Sequence, residues 1–121
     1  MVSLQALIFY LSSQPQIPVD TGLSDKVLHF AAYGLLSALW IVALAGSAGS
    51  IGAAKAWGGA VLAVLFGLSD EFHQSFVPGR TASWGDVAAD ALGAAVAAGA
   101  LWLLAARRGE GKREERAARG V

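Results

Sequence analysis

Residues Val27 to Ala45 read Val-Leu-His-Phe-Ala-Ala-Tyr-Gly-Leu-Leu-Ser-Ala-Leu-Trp-Ile-Val-Ala-Leu-Ala, a nineteen-residue run whose one ionisable member is His29. The hydrocarbon core of a bilayer requires about 20 apolar residues per helix. Two further stretches come close. Ala56–Leu68 is apolar throughout, and from Ser50 it reaches nineteen residues with Lys55 included. Val87–Ala106 spans twenty residues and carries one charge, Asp90, in its first turn. None of the three shows the polar face that a soluble surface helix needs. The expected fold is therefore all-α: a small polytopic membrane helix bundle with three full transmembrane helices and a short or truncated N-terminal one. A small soluble, alanine-rich bundle is the alternative. The first segment, Val2–Leu11, has only ten residues, too few to cross. It lacks the basic start and small-residue cleavage site of a signal peptide. Either it is a half-buried helix, or Met1 is not the true start and the run completes a span begun upstream.

Composition agrees with this reading. The chain is 55% hydrophobic and only 15% charged, against about 25% charge in an average soluble domain. Six of its nine Lys and Arg lie in Arg107–Arg119. The net charge of zero thus conceals an asymmetry. The one basic run is a tail of the kind that flanks membrane helices, so no surface is left for nucleic acid. With no cysteine, disulfides, thiolate chemistry and Cys-ligated zinc are excluded. Two regions follow: a transmembrane domain over residues 1–106, and a basic cytoplasmic tail over residues 107–121 that is frayed or disordered from Gly109.

The connections carry turn chemistry. Ser12–Ser24 holds two prolines and a glycine and reads as a loop. Ser24 suits the N-cap of the second helix, and Ser83 or Asp86 that of the fourth. Ala45–Ser50 is a small-residue turn, and Pro78-Gly79 marks another. The positive-inside rule places the basic tail in the cytoplasm. Counting crossings back puts Ser69–Gly85 outside, Gly46–Lys55 inside, and Ser12–Lys26 outside, whether or not the first segment crosses. The expected location is the cell membrane, multi-pass, with the lipid bilayer as the first partner.

Two polar clusters then share the outer side. Asp25, Lys26 and His29 open the second helix. Asp70, Glu71, His73, Gln74 and Arg80 lie between the third and the fourth. Helical spacing of three and four sets Asp25, His29 and Tyr33 on one stripe, groups Asp70 with His73 and Gln74, and groups Asp86 with Asp90. Ionisable groups at a membrane edge face one another or a site rather than lipid. The two clusters are expected to touch, with Arg80 near Asp25, Asp86 or Asp90, and His29 near Asp70, Glu71 or His73. Three chemistries fit. Two histidines and several carboxylates suit zinc or manganese, yet no spaced motif such as His-Glu-x-x-His is present, and neither a metal nor a cofactor is expected. His29 or His73, with Asp70 and Glu71, could serve acid–base catalysis while Lys26 and Arg80 hold a phosphate. An ion-pair network with no chemistry would produce the same residues. Small-residue rows at Gly59, Ala63 and Gly67 and at Ala89, Gly93 and Ala97 allow close helix approach; packing within one bundle is the simpler reading, a homo-oligomer the other. Trp40, Trp57, Trp84 and Trp102 fit an interfacial belt.

The motifs resemble those of the VanZ-like membrane proteins: Ser12-Ser13-Gln14-Pro15, Asp25-Lys26-Val27-Leu28-His29-Phe30 with Tyr33-Gly34-Leu35-Leu36, Asp70-Glu71-Phe72-His73-Gln74 with Phe76-Val77-Pro78-Gly79-Arg80, and Asp86-Val87 with Asp90 and Leu92-Gly93. They run in order from about residue 8 to 95. The resemblance implies about four membrane helices and a cell-envelope protein. The founding member is associated with resistance to the glycopeptide teicoplanin, and the family has no established biochemical activity. Its pattern often has Asn where Asp90 stands. The function expected is binding of an envelope component, such as a lipid-linked cell-wall precursor or a glycopeptide antibiotic, at the outer mouth. An intramembrane enzyme acting on a phosphorylated or acylated envelope lipid, and a structural partner subunit, are the alternatives.

Overall fold

In a computed structural model that describes residues 2–15 and 25–121, every regular element is helical. Helix α1 spans Val2–Ser12, α2 Asp25–Ala45, α3 Ala53–Gln74 and α4 Trp84–Ala118. A single 3-10 turn, Gly46–Ala48, follows α2 directly. The expected Ser24 cap lies outside the described residues. Ser83 is the N-cap of α4, and its hydroxyl accepts from the Gly85 N–H at 3.1 Å. The Pro78-Gly79 turn forms as read. Gly79 has φ 81, the value that the third position of a type II turn demands, and the Arg80 N–H donates to the Val77 carbonyl at 3.1 Å.

Helices α2, α3 and α4 pack on one another, while α1 touches α2 and α3 lightly. The core is thin and built of small side chains: Ala56, Ala60, Ala63, Ala94 and Ala98 surround Tyr33, Leu36 and Ile41. Glycines bring the backbones together. A methyl group at Gly59 would strike Ile41, and one at Gly67 would sit 2.8 Å from Asp90 Oδ2. The small-residue rows therefore serve packing within the bundle. Large apolar side chains point outward instead: Leu35, Val42, Val61, Leu65, Leu92, Val96 and Leu103 are all exposed. Helices α2 and α4 are long and apolar enough to cross a membrane, yet only 22% of each apolar window is buried. A soluble core helix would show the reverse, and an apolar outer surface of this extent marks contact with lipid or another apolar partner.

Two readings need correction. The tail is not frayed, because α4 continues through Gly109 and Gly111 to Ala118. Its alanine, glutamate, lysine and arginine are strong helix formers, and Arg119 pairs with Glu115 one turn back at 2.6 Å. Helix α4 is thus 35 residues long, about 52 Å at 1.5 Å per residue, well beyond the ~30 Å hydrocarbon thickness. Trp40 packs against the core rather than outward. Among the described residues, α2 and α4 meet the length and apolarity of a span; α3 has Lys55 near one end and Asp70, Glu71 and His73 near the other.

Candidate functional site

The start of α2, the end of α3 and the start of α4 converge at one end of the bundle, and the end of α1 joins them. Each contributes polar side chains at the positions where its apolar run stops. On the α1–α3 side, Ser12 donates to Asp70 Oδ1 at 2.6 Å, and Gln74 donates to Asp70 Oδ2 at 3.1 Å. Asp70 is buried. A buried carboxylate requires compensating donors, and Asp70 obtains one from its own helix turn and one from α1. Ser13 Oγ lies 3.0 Å from His73 Nε2, and the His73 ring stacks on Phe9 at 4.3 Å. The Arg80 guanidinium donates through Nε to the Ser12 carbonyl at 3.3 Å. Polar contacts from Asp70, His73 and Arg80 therefore dock α1.

On the α2–α4 side, His29 Nδ1 lies 2.9 Å from Asp90 Oδ1. Asp90 is almost fully buried, and its other oxygen, Oδ2, has no hydrogen-bond partner among the described residues. His29 Nε2 faces Asp25 Oδ2 at 4.0 Å, one turn away, and its ring lies parallel to Tyr33 at 6.2 Å. Lys26 Nζ stands 3.6 Å from Asp86 Oδ1. Glu71, buried at the end of α3, accepts from the Ser83 N–H at 2.9 Å, which ties α3 to the cap of α4. Glu71 Oε1 and the Tyr33 hydroxyl are buried without a partner among the described residues.

The two sides share cavities. One of about 180 Å3 is bordered by Ser12, Asp25, His29, Tyr33, Asp70, Gln74 and Arg80. A second, of about 200 Å3 and almost wholly polar, is bordered by Asp25, Lys26, Gln74, Arg80, Thr81, Ser83 and Asp86. The clusters that are separate in sequence thus open onto common space. The expected pairings within them differ. Asp90 is matched by His29, not Arg80, and His29 meets Asp90 and Asp25 rather than Asp70, Glu71 or His73. His73 turns away from this space to Ser13 and Phe9. Arg80 borders the cavity together with Asp25 and Asp86, but its hydrogen bond runs to the α1 backbone. Ser12, Ser13 and Ser83 belong to the network as well. The first two were visible as part of a motif and the third as a cap, though nothing in their spacing indicated their partners.

An all-helical bundle with two helices long and apolar enough to cross a membrane, and polar groups gathered at one end, fits a small membrane protein. Residues 2–105 match the family model described as VanZ/LLP1, and the chain belongs to that family. No curated protein matches the sequence, and no solved structure does.

Proposed function

We propose that this is a multi-pass protein of the bacterial cell membrane whose polar end faces outward and binds an envelope component, either a lipid-linked cell-wall precursor or a glycopeptide antibiotic. One observation carries the reading: carboxylates, an imidazole and two cations border joint cavities at one end of a bundle whose sides are apolar. Groups of this kind are costly beside lipid and are retained where they serve a site. The geometry also supports a third span. His29 near the start of α2 bonds Asp90 near the start of α4, so the two run in the same direction. If both cross, α3 must return the chain between them. The basic extension of α4 then lies in the cytoplasm, and the polar end lies outside.

An enzyme is the second reading, favoured by the His29–Asp90 contact. A carboxylate on one ring nitrogen holds the imidazole in one tautomer with the other nitrogen open, the arrangement used for acid–base work. One set of variants separates these readings from a structural role. Alanine at His29, Asp70, His73 and Arg80 is expected to lower teicoplanin resistance several-fold in a host that depends on the protein, with membrane abundance retained in at least the His29 variant. If resistance falls only in step with abundance across all four, the network is structural and the proposal fails.

A further inference from the structure

We propose that Asp25, His29 and Asp86 bind a divalent cation of the zinc class, with Asp90 as the residue that positions His29. The proposal rests on the reading of this end of the bundle as the functional one. Along the chain these residues form no metal motif, since Asp86 lies on a different helix from the other two. Folding assembles them: one ligand atom from each lies within 4.8 Å of the other two.

The orientation of His29 is the stronger argument. A histidine that ligates a metal through one nitrogen almost always donates its other N–H to a carboxylate or carbonyl. His29 Nδ1 is engaged by Asp90 Oδ1 at 2.9 Å, the partner that would hold the proton on Nδ1 when Nε2 ligates a metal. Nε2 faces the Asp25 carboxylate at 4.0 Å. A buried carboxylate behind the ring is costly, and this is the support a ligating imidazole requires.

Asp86 supplies the independent observation. It is more than nine-tenths buried, it borders the polar cavity, and its Oδ1 has no hydrogen-bond partner among the described residues. Lys26 stands 3.6 Å from that oxygen, but its side chain is 61% exposed and can swing into solvent when a metal takes its place. Asp25 is 59% exposed, so its carboxylate is free to close on the ion. One imidazole and two carboxylates make a mixed nitrogen–oxygen set. It suits zinc better than magnesium, which takes oxygen alone. Three protein ligands leave a fourth position open. Asp25 and Asp86 border the polar cavity that Arg80 also borders.

The test is calorimetric titration of Zn2+ alone into the purified full chain in detergent or nanodiscs. One saturating equivalent is expected, with Mg2+ binding more weakly. Asp25→Asn and His29→Gln are each expected to weaken zinc binding by at least tenfold, and Asp90→Asn by about 10–100-fold. Glu110→Gln, on the exposed extension of α4, serves as the unaffected control. Because Asp25 is exposed, its variant keeps the fold and the result remains decisive even if the other two unfold. Absent saturable binding, tighter Mg2+ binding, or zinc affinity left within twofold by Asp25→Asn, the proposal is overturned. Zinc binding without any link to glycopeptide resistance would retain the metal site and sink only the proposed ligand.

Discussion

Gly93→Ala is expected to remove most of the assembled protein from the membrane. Where α2 and α4 cross, a methyl group on Gly93 would land on the Phe30 carbonyl oxygen and its carbon. The obstacle is backbone, so no rotamer change relieves it. Gly34, one turn further along α2, also lies against the Gly93 carbonyl, so the crossing is held by backbone on both helices. Overpacking in a core costs about 1–3 kcal/mol when side chains can yield; here the cost is expected at or above the top of that range. Close approach of small residues is also the main attraction available between helices in lipid, where apolar burial provides no net drive. The control is Gly99→Ala on the same helix, where an added methyl meets nothing within 4 Å. Membrane abundance and thermal unfolding in detergent should show a large loss for Gly93→Ala and none for Gly99→Ala. Equal behaviour of the two would mean that α2 and α4 do not meet as described.

Asp90→Leu is expected to be the most damaging substitution among the polar groups. It removes the acceptor for His29 Nδ1 and leaves a half-buried imidazole without that bond. An unsatisfied buried group costs about 1–3 kcal/mol. Leucine must also fit where Asp90 Oδ2 now lies close to the space a Gly67 side chain would occupy. Asp90→Asn should behave differently, because its amide oxygen can still accept from His29 and its size is unchanged. Purified in detergent, the Asn variant is expected to unfold within a few degrees of the parent and the Leu variant well below it. Similar losses in both would show that the charge of Asp90, rather than its hydrogen bond, holds the pair together.

The contrast between these residues shows what was legible in the sequence. Contacts within one helix follow from spacing alone. The Asp25–His29–Tyr33 stripe and the Asp70–Gln74 pair lie three or four residues apart, and both form. Caps and turns were legible for the same local reason, as Ser83 and Pro78-Gly79 show. Contacts between helices depend on how each helix is rotated about its axis, and in a bundle that is apolar almost all round no amphipathic stripe fixes that rotation. Asp70, Glu71 and His73 were therefore the expected partners of His29 on other elements, whereas the one it meets there, Asp90, lies 61 residues away. The rotation is set by glycines: Gly93 admits Phe30, Gly67 leaves room for Asp90, and Gly59 admits Ile41. The small-residue rows announced close packing without saying against what. The tail failed for a different reason. Its polar, charged composition reads as frayed, but Gly109 and Gly111 each cost a helix only about 1 kcal/mol, and the alanines, glutamates and arginines around them outweigh it.

The central claim is that the polar end of the bundle faces outward and the basic end of α4 faces the cytoplasm. The chain contains no cysteine, so single-cysteine variants report without background. In intact cells a membrane-impermeant maleimide is expected to label Ser83→Cys at the cap of α4 and to leave Arg119→Cys unlabelled until the cells are opened. Labelling of Arg119→Cys from outside, with Ser83→Cys protected, would reverse the orientation and remove the basis for an envelope ligand at this site.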